Sequence, residues 1–379
     1  MDLSLSPEQQ QLRQSASRLA ESRFAQAAFT WDRFPFEHAR VLAEHGFTGI
    51  TIPVEDGGQG GTLFDAVIVL EAVSEVCPHS GDAVQATNFG GIRQLAAFGG
   101  ERVKRDVLPR LLAGDGLISA GMSEPEAGSA VTSLRTTARY DGDAVVLEGH
   151  KVWGSHAPEL SHSVIWARFG PRSRDIGCVV VPADTPGFRK GPVERYLSGE
   201  QHCALYLDTV RVPRDYVLAD HDTLRRMFTV FGVERLGNAV RALALAQSAF
   251  DRAVEHAKQR RQFDRPLCEF QGLQWRFADM RMKLDAARLL IYRAVANAEG
   301  GIPDPTEASI AKCYTNEIAL EVANEALQVF GAMGYSDESP MGYLMTRIRG
   351  WMIAGGSVEM MRNRIAEGIF ERRFSQRPS

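Results

Sequence analysis

Gly121-Met122-Ser123-Glu124-Pro125-Glu126-Ala127-Gly128-Ser129 is the stretch on which the reading of this chain turns. It places two hydroxyls, two glycines and a proline directly after an apolar, helix-like segment. Open backbone amides at glycine, beside serine hydroxyls, suit a polar ring edge or a phosphate. The same residues also describe a plain polar turn, and the loop alone does not separate the two. Upstream of it the chain reads as helical. Glu8 to Phe24 holds helix formers without internal glycine or proline, and Asp65 to Val76 and Gly90 to Leu112 continue in that style. Pro53 to Gly61 is a turn-rich break without a GxGxxG dinucleotide fingerprint.

Downstream of about Leu117 the grammar becomes short β-branched or aromatic runs between turns. Ala144–Leu147, Ser163–Ala167, Cys178–Val181 and Cys203–Leu207 are strand candidates. After Asp222 helical spacing returns: Leu273, Phe277, Met280, Leu284, Ala287, Ile291 and Ala294 recur on one stripe, which is a core pattern. Asp304-Pro305 predicts a capped helix start, and Gly355-Gly356 predicts a break before a restart at Ser357. The expected fold is α+β and mostly α. It comprises an N-terminal α-helical domain over 1–116, a small middle β-barrel or sandwich domain over 117–222, and a C-terminal four-helix-bundle domain over 223–379.

Composition narrows the function classes. At 379 residues, 44% hydrophobic and 24% charged, the chain has the profile of a soluble globular protein of two or three domains. A net charge of -4 with interspersed signs offers no footprint for nucleic acid or an anionic membrane. No apolar run approaches the roughly 20 residues of a membrane helix. The start, Met1 to Glu8, lacks a basic patch and an apolar signal core, which points to a cytoplasmic protein. Five scattered cysteines without CxxC argue against a disulfide framework or a zinc site. Nine histidines form no ligand set, so no metal is expected; His156 and His162 read as surface or loop residues.

Four separated motifs together resemble the acyl-CoA dehydrogenase family over nearly the whole chain. The opening loop is similar to the family's (M)(T/S)EPxAGSD, and Lys151-Val152-Trp153-Gly154-Ser155 to its K-x-W-I-T segment. Arg260 to Leu267 with Gln271 is similar to RxxFGxxL…Q, and Gln328 to Tyr335 to QxxGGxGY. The resemblance implies non-covalent FAD. Met122 and Ser123 would face the pyrimidine side of its ring, and Ser129 would lie near its pyrophosphate or the CoA portion of the substrate. Trp153 would lie against the ring, and Ser155 would hydrogen-bond the reactive ring nitrogen. Arg260, Gln262, Phe263, Gln271, Gln328 and the turn at Gly331 would reach the FAD of a neighbouring subunit, within a homotetramer or homodimer. Read as bare residues, Trp153 could plug a β core, Ser155 could be a turn residue, and Arg260-Arg261 could be a solvated basic pair.

The family's chemistry implies an acyl-CoA substrate, or an acyl-carrier thioester, and an electron-transferring flavoprotein as partner. It needs a carboxylate base for the α proton and a flavin to accept the β hydride. The usual base is the glutamate of a C-terminal E-G-T/S motif. Here, anchoring on Ser357 and Glu359, Gly355 stands in that place, and Ser357 and Glu359 belong to the cofactor end. A second subgroup carries its base on an earlier helix before an arginine, as Glu234 precedes Arg235 here. Glu234 is therefore the expected base, with Phe231 and Arg235 lining the thioester and pantetheine entrance; a surface carboxylate is the alternative. The missing glutamate also leaves room for a non-oxidising, desulfinase-like member or for a catalytically weak flavin-binding relative. Ala130 and Asp264 replace the family's aspartate and glycine. His79 stands where glutaryl-type members keep an arginine, and Arg93 is a second cation nearby.

Overall fold

The structure, a computed structural model, describes residues 4–30 and 33–374. The chain begins with α1 (Pro7–Arg23), α2 (Phe36–Glu44), α3 (Leu63–Val76), α4 (Pro78–Asn88), α5 (Gly91–Phe98) and α6 (Glu101–Leu112). Strands follow as β1 (Ile118–Gly121), β2 (Thr137–Asp141), β3 (Ala144–Ser155), β4 (His162–Arg168), β5 (Ile176–Pro182), β6 (Phe188–Lys190), β7 (Glu194–Arg195), β8 (Gln201–Pro213) and β9 (Val217–Ala219). After α7 (Leu224–Gln259) comes a short hairpin, β10 (Arg261–Gln262) and β11 (Arg265–Pro266). The chain ends with α8 (Gln271–Ala296), α9 (Pro305–Phe330), α10 (Ala332–Tyr335), α11 (Pro340–Trp351) and α12 (Val358–Ile369). The α+β architecture expected from sequence is therefore present, with helices, a middle β region, and helices again.

Two compact units form, and they do not follow chain order. One takes residues 30–66 and 79–234; the other takes 1–29, 67–78 and 235–379. In the first, a sheet runs β6-β8-β3-β2-β4-β5-β9, with β1 alongside β4 and β7 alongside β8. β4 and β5 are buried over nearly their whole length, so they read as continuous apolar runs rather than as alternation. Ile92 and Leu95 of α5, Val107 and Leu111 of α6, and Met227 of α7 share a core with Val164, Trp166, Cys178 and Val180 of the sheet. The sequence predicts one helical stretch over 90–112, but two helices form. At Gly99 the backbone turns extended (φ -68°, ψ 137°), and a side chain there would sit 2.5 Å from the Leu95 carbonyl oxygen.

The second unit is helical. Asp304 caps α9 by accepting from the Thr306 and Glu307 amides at 2.9 Å, as its sequence predicts. The α8 stripe buries Met280, Leu284, Ala287, Ile291 and Ala294, whereas Leu273 and Phe277 at its start are half-buried. Residues 67–78, which include most of α3, belong here, and a buried polar network ties them to α8. Arg288 of α8 pairs with Glu71 at 2.7 Å and donates to Gln247 at 3.2 Å, and the Tyr292 hydroxyl donates to Glu71. Burial, with Glu71 beside it, pushes the Glu75 carboxyl up to about 8.

Candidate active site

In the first unit the opening loop is built as a tight turn. The backbone N–H and C=O of Glu124 and Ala127 bond reciprocally at 3.1 Å, with Pro125 at the turn's first corner. Behind it lies a buried ion pair. Lys151 Nζ is 2.7 Å from Glu124 Oε1, and Glu124 also accepts from the Arg135 and Thr136 amides at 2.5 and 3.0 Å. Burial alone would raise the Glu124 carboxyl, but these donors hold it below the usual carboxylate range. Burial pulls the Lys151 ammonium down to about 8, against the support of Glu124. The pair fixes where the loop lies on β3.

Two expected groups are brought together here. The Val152 amide donates to the Ser123 carbonyl at 2.9 Å, joining the Met122-Ser123 corner to the Trp153-Gly154-Ser155 segment. Between Lys151 and Gly154 the β3–β8 register slips, and Trp153 takes φ 61°. This is a β-bulge that re-aims a side chain. The indole is 61% exposed, so Trp153 does not plug the β core. Tyr196 ties the segment down: its hydroxyl donates to the Trp153 carbonyl at 3.0 Å and accepts from Ser155 Oγ at 3.3 Å. Tyr196 gave no sequence signal, because it comes from the separate stretch between β7 and β8. Gly128 and Ser129 are exposed, and a Cβ at Gly128 would meet nothing within 4 Å. An exposed aromatic plane in a strained backbone, beside serine hydroxyls and an open glycine, fits a planar ring with a phosphate tail.

Glu234 lies in the same unit. It is half-buried on α7, and its Oε2 accepts from Gln85 Nε2 of α4 at 2.9 Å. Phe228 and Phe231, on the preceding turns, lie 5.3 and 6.5 Å from the buried Trp166 ring, which sets the rotation of the helix. His156 and His162, expected at the surface or in loops, are both buried. His156 sits 3.5 Å from Asp82, and burial, followed by the charge of Arg110, pulls His162 down to about 4. Arg93 donates to the Thr51 carbonyl and hydroxyl at 2.9 Å, which occupies one face of its fork.

The second unit carries the remaining expected residues. Arg260, Gln262, Phe263, Gln271, Gln328 and Gly331 are all exposed. Phe263 and Asp264 have φ 49° and 64°, the two-residue turn of a tight hairpin, and Phe263 is thrust out to 88% exposure. The His256 and Phe330 rings stack at 4.3 Å, which sets the end of α7 beside the end of α9. Ser357 caps α12, and Glu359 is exposed on its first turn, where the Ser357 side chain holds its carboxyl below the usual range. Gly355 has φ 70°, and a Cβ there would lie 2.5 Å from Asn238 Nδ2 and 3.5 Å from Lys312 Nζ. Lys312 is fully buried and donates to the Ala354 and Gly356 carbonyls. Arg235 is buried too, its Nε 4.0 Å from where a Gly356 side chain would begin. Burial, followed by the charge of Arg364, pulls its guanidinium down to about 10. Among the described residues no cluster of His, Cys, Asp and Glu could hold a metal, and no helix is long and apolar enough to cross a membrane.

The order of helices, a middle sheet and helices again is shared with known proteins. Residues 6–115, 119–210 and 224–370 match the N-terminal, middle and C-terminal domains of acyl-CoA dehydrogenase, respectively. The chain belongs to the acyl-CoA dehydrogenase family. It is 34% identical over 386 residues, with 99% of each chain covered, to a 3-sulfinopropanoyl-CoA desulfinase of Paraburkholderia xenovorans. It is 35% identical over 367 residues, 94% of each, to a protein of Mycobacterium tuberculosis described as probable acyl-CoA dehydrogenase FadE25. The solved butyryl-CoA dehydrogenase of Megasphaera elsdenii superposes with a TM-score of 0.92 at 28% identity, covering 98% of this chain and all of that one.

Proposed function

We propose that this protein is an FAD-dependent dehydrogenase that converts a saturated acyl-CoA thioester to its α,β-enoyl thioester, with Glu234 as the base. The observation that carries this reading is the Glu234 carboxylate, half-buried on α7 and held at 2.9 Å by Gln85, in a chain whose position 355 is glycine. Glu234 takes the α proton as the β hydrogen leaves with its electron pair, so the thioester loses two hydrogens and gains a double bond. A bound FAD would supply the acceptor for that hydride. Trp153 offers the plane against which the ring lies and excludes water from it, and Ser155 offers a donor at its edge. Arg260, Gln262, Phe263, Gln271, Gln328 and Gly331 reach the cofactor of a second subunit, which their exposure permits. The electrons pass on to an electron-transferring flavoprotein.

A second reading is a non-oxidising reaction of the desulfinase kind on a 3-substituted acyl-CoA. The desulfinase relative, matched over 99% of both chains, favours it. One experiment separates the two. The purified flavoprotein is mixed anaerobically with saturated acyl-CoAs and with 3-sulfinopropanoyl-CoA while flavin absorbance and released sulfur oxyanion are followed. Bleaching by a saturated acyl-CoA, lost in Glu234→Gln and kept in Glu359→Gln, is the expected result. Release of sulfur without bleaching by any saturated acyl-CoA establishes the second reading instead. Bleaching that survives Glu234→Gln removes Glu234 as the base.

A further inference from the structure

The carboxylate of Glu234 is held from two sides by a single corner of the fold. Gln85 lies in the last turn of α4 and is 95% withdrawn from solvent, at 5% exposure. Its backbone carbonyl accepts from the Phe89 and Gly90 amides at 2.9 and 3.3 Å, ending the helix, while its side chain reaches across to Glu234. Asn88 pins the same corner, accepting from the Ile50 amide at 2.6 Å and donating to the Phe47 and Val84 carbonyls at 3.0 Å. The corner is therefore rigid. Immediately after it Gly90 opens α5, and no side chain caps that helix from the N-cap position. A Cβ on Gly90 would stand 3.3 Å from Glu234 Oε2, so the carboxylate rests against the start of α5 in a space that glycine leaves.

Two physical effects act in the same direction here. An amide N–H bonded to a carboxylate is a charge-assisted contact that fixes the orientation of the acceptor. The N-terminal end of a helix carries partial positive charge and open N–H groups, which favour an anion placed over it. Gln85 Oε1 is buried without a hydrogen-bond partner, a cost that persists only where the other end of the amide is needed.

We infer that Gln85 and Gly90 are positioning residues for the reaction: together they form a cradle that aims the Glu234 carboxylate at the substrate α carbon. This inference rests on Glu234 being the base, and the test keeps the two ideas apart. Gln85→Met keeps length and burial but removes the donor, and Gly90→Ala intrudes on Oε2. Each holoenzyme is assayed for exchange of the substrate α hydrogen in deuterated water, for the dissociation constant of a non-reducible acyl-CoA analogue, and for thermal midpoint. The expected outcome is an exchange rate about tenfold lower or more in both variants, with the analogue bound within about twofold of the parent value. Shortening the base in Gly90→Ala/Glu234→Asp restores part of the rate relative to Glu234→Asp alone, because the displaced carboxylate regains room. If Glu234→Gln abolishes exchange while Gln85→Met and Gly90→Ala leave it at the parent rate, the cradle is refuted and the base stands. If Glu234→Gln exchanges as the parent does, the base assignment is what fails. A loss of exchange matched by equal loss of analogue binding or of folding also overturns the positioning role.

Discussion

Position 355 is where a residue-scale argument decides most. The family resemblance puts the usual base at this position, yet placing a carboxylate there by Gly355→Glu meets two obstacles. The backbone has φ 70°, which L residues with a Cβ adopt at a cost, and the new Cβ would sit 2.5 Å from Asn238 Nδ2. Asn238 cannot swing freely, because its Oδ1 accepts from Arg241 at 2.6 Å. Gly355→Glu is expected to lower stability by roughly 2–4 kcal/mol in chemical denaturation and to leave Glu234→Gln inactive. Adding Asn238→Ala should recover part of the lost stability. A Gly355→Glu protein as stable as the parent would show that the amide yields. Trp153 presents the opposite case, a bulky residue held at φ 61° with its ring in solvent. Such strain costs on the order of 1–3 kcal/mol and persists where a site needs the geometry. The family resemblance places Trp153 against a ring, while the bare residue leaves a core plug open; the bulge shows which way it faces.

At the scale of elements, β3 and β4 bury polar groups at their ends. Lys151 and Glu124 lock the opening loop to β3, and His162 begins β4 inside the protein. His162 bonds Ser161 Oγ through Nδ1 at 3.0 Å and is held neutral, its pKa pulled down to about 4 by burial and then by Arg110. The unfolded chain takes up this proton near pH 6.5, whereas the folded chain does so only near 4. Stability is therefore present above pH 6.5 and declines as the pH falls through that window. Between pH 7 and pH 5 this one group is expected to remove roughly 2 kcal/mol, and His162→Gln should flatten that part of the pH dependence in urea denaturation. An identical slope in the variant would assign the acid sensitivity elsewhere. His162 was misread from sequence because polar type suggested surface, while its place at the start of a strand buried on both faces is a tertiary fact. The break at Gly99-Gly100 was similarly hidden: two glycines lower helix propensity without saying that the chain turns extended there.

At the scale of the whole molecule, α8 presents Trp275, Met282 and Leu289 at seven-residue spacing, exposed by 63%, 62% and 52%. A stripe at that spacing lies along one face of a helix. The proposed reach of Arg260 and Gln328 to the cofactor of a second subunit requires an interface between copies, and this apolar stripe is the face expected to form it. Met282→Glu/Leu289→Glu is expected to give a smaller species in sedimentation and to lose flavin on dilution. An unchanged sedimentation coefficient would mean that this face is not the interface.

The local code wrote much of this protein by itself. Apolar spacing, the Asp304-Pro305 cap and the glycine pair at 355-356 set out the helices. The four motifs carried the family resemblance and left glycine at position 355, where that resemblance places the usual base, since these depend on residue types at short range. Three further matters were decided only in three dimensions. They are the membership of residues 67–78 in the helical unit through Glu71 and Arg288, the outward turn of Trp153 under Tyr196, and the grip of Gln85 and Gly90 on Glu234. Each joins segments far apart along the chain, and a contact between distant segments leaves no period or spacing in the sequence from which it could be read.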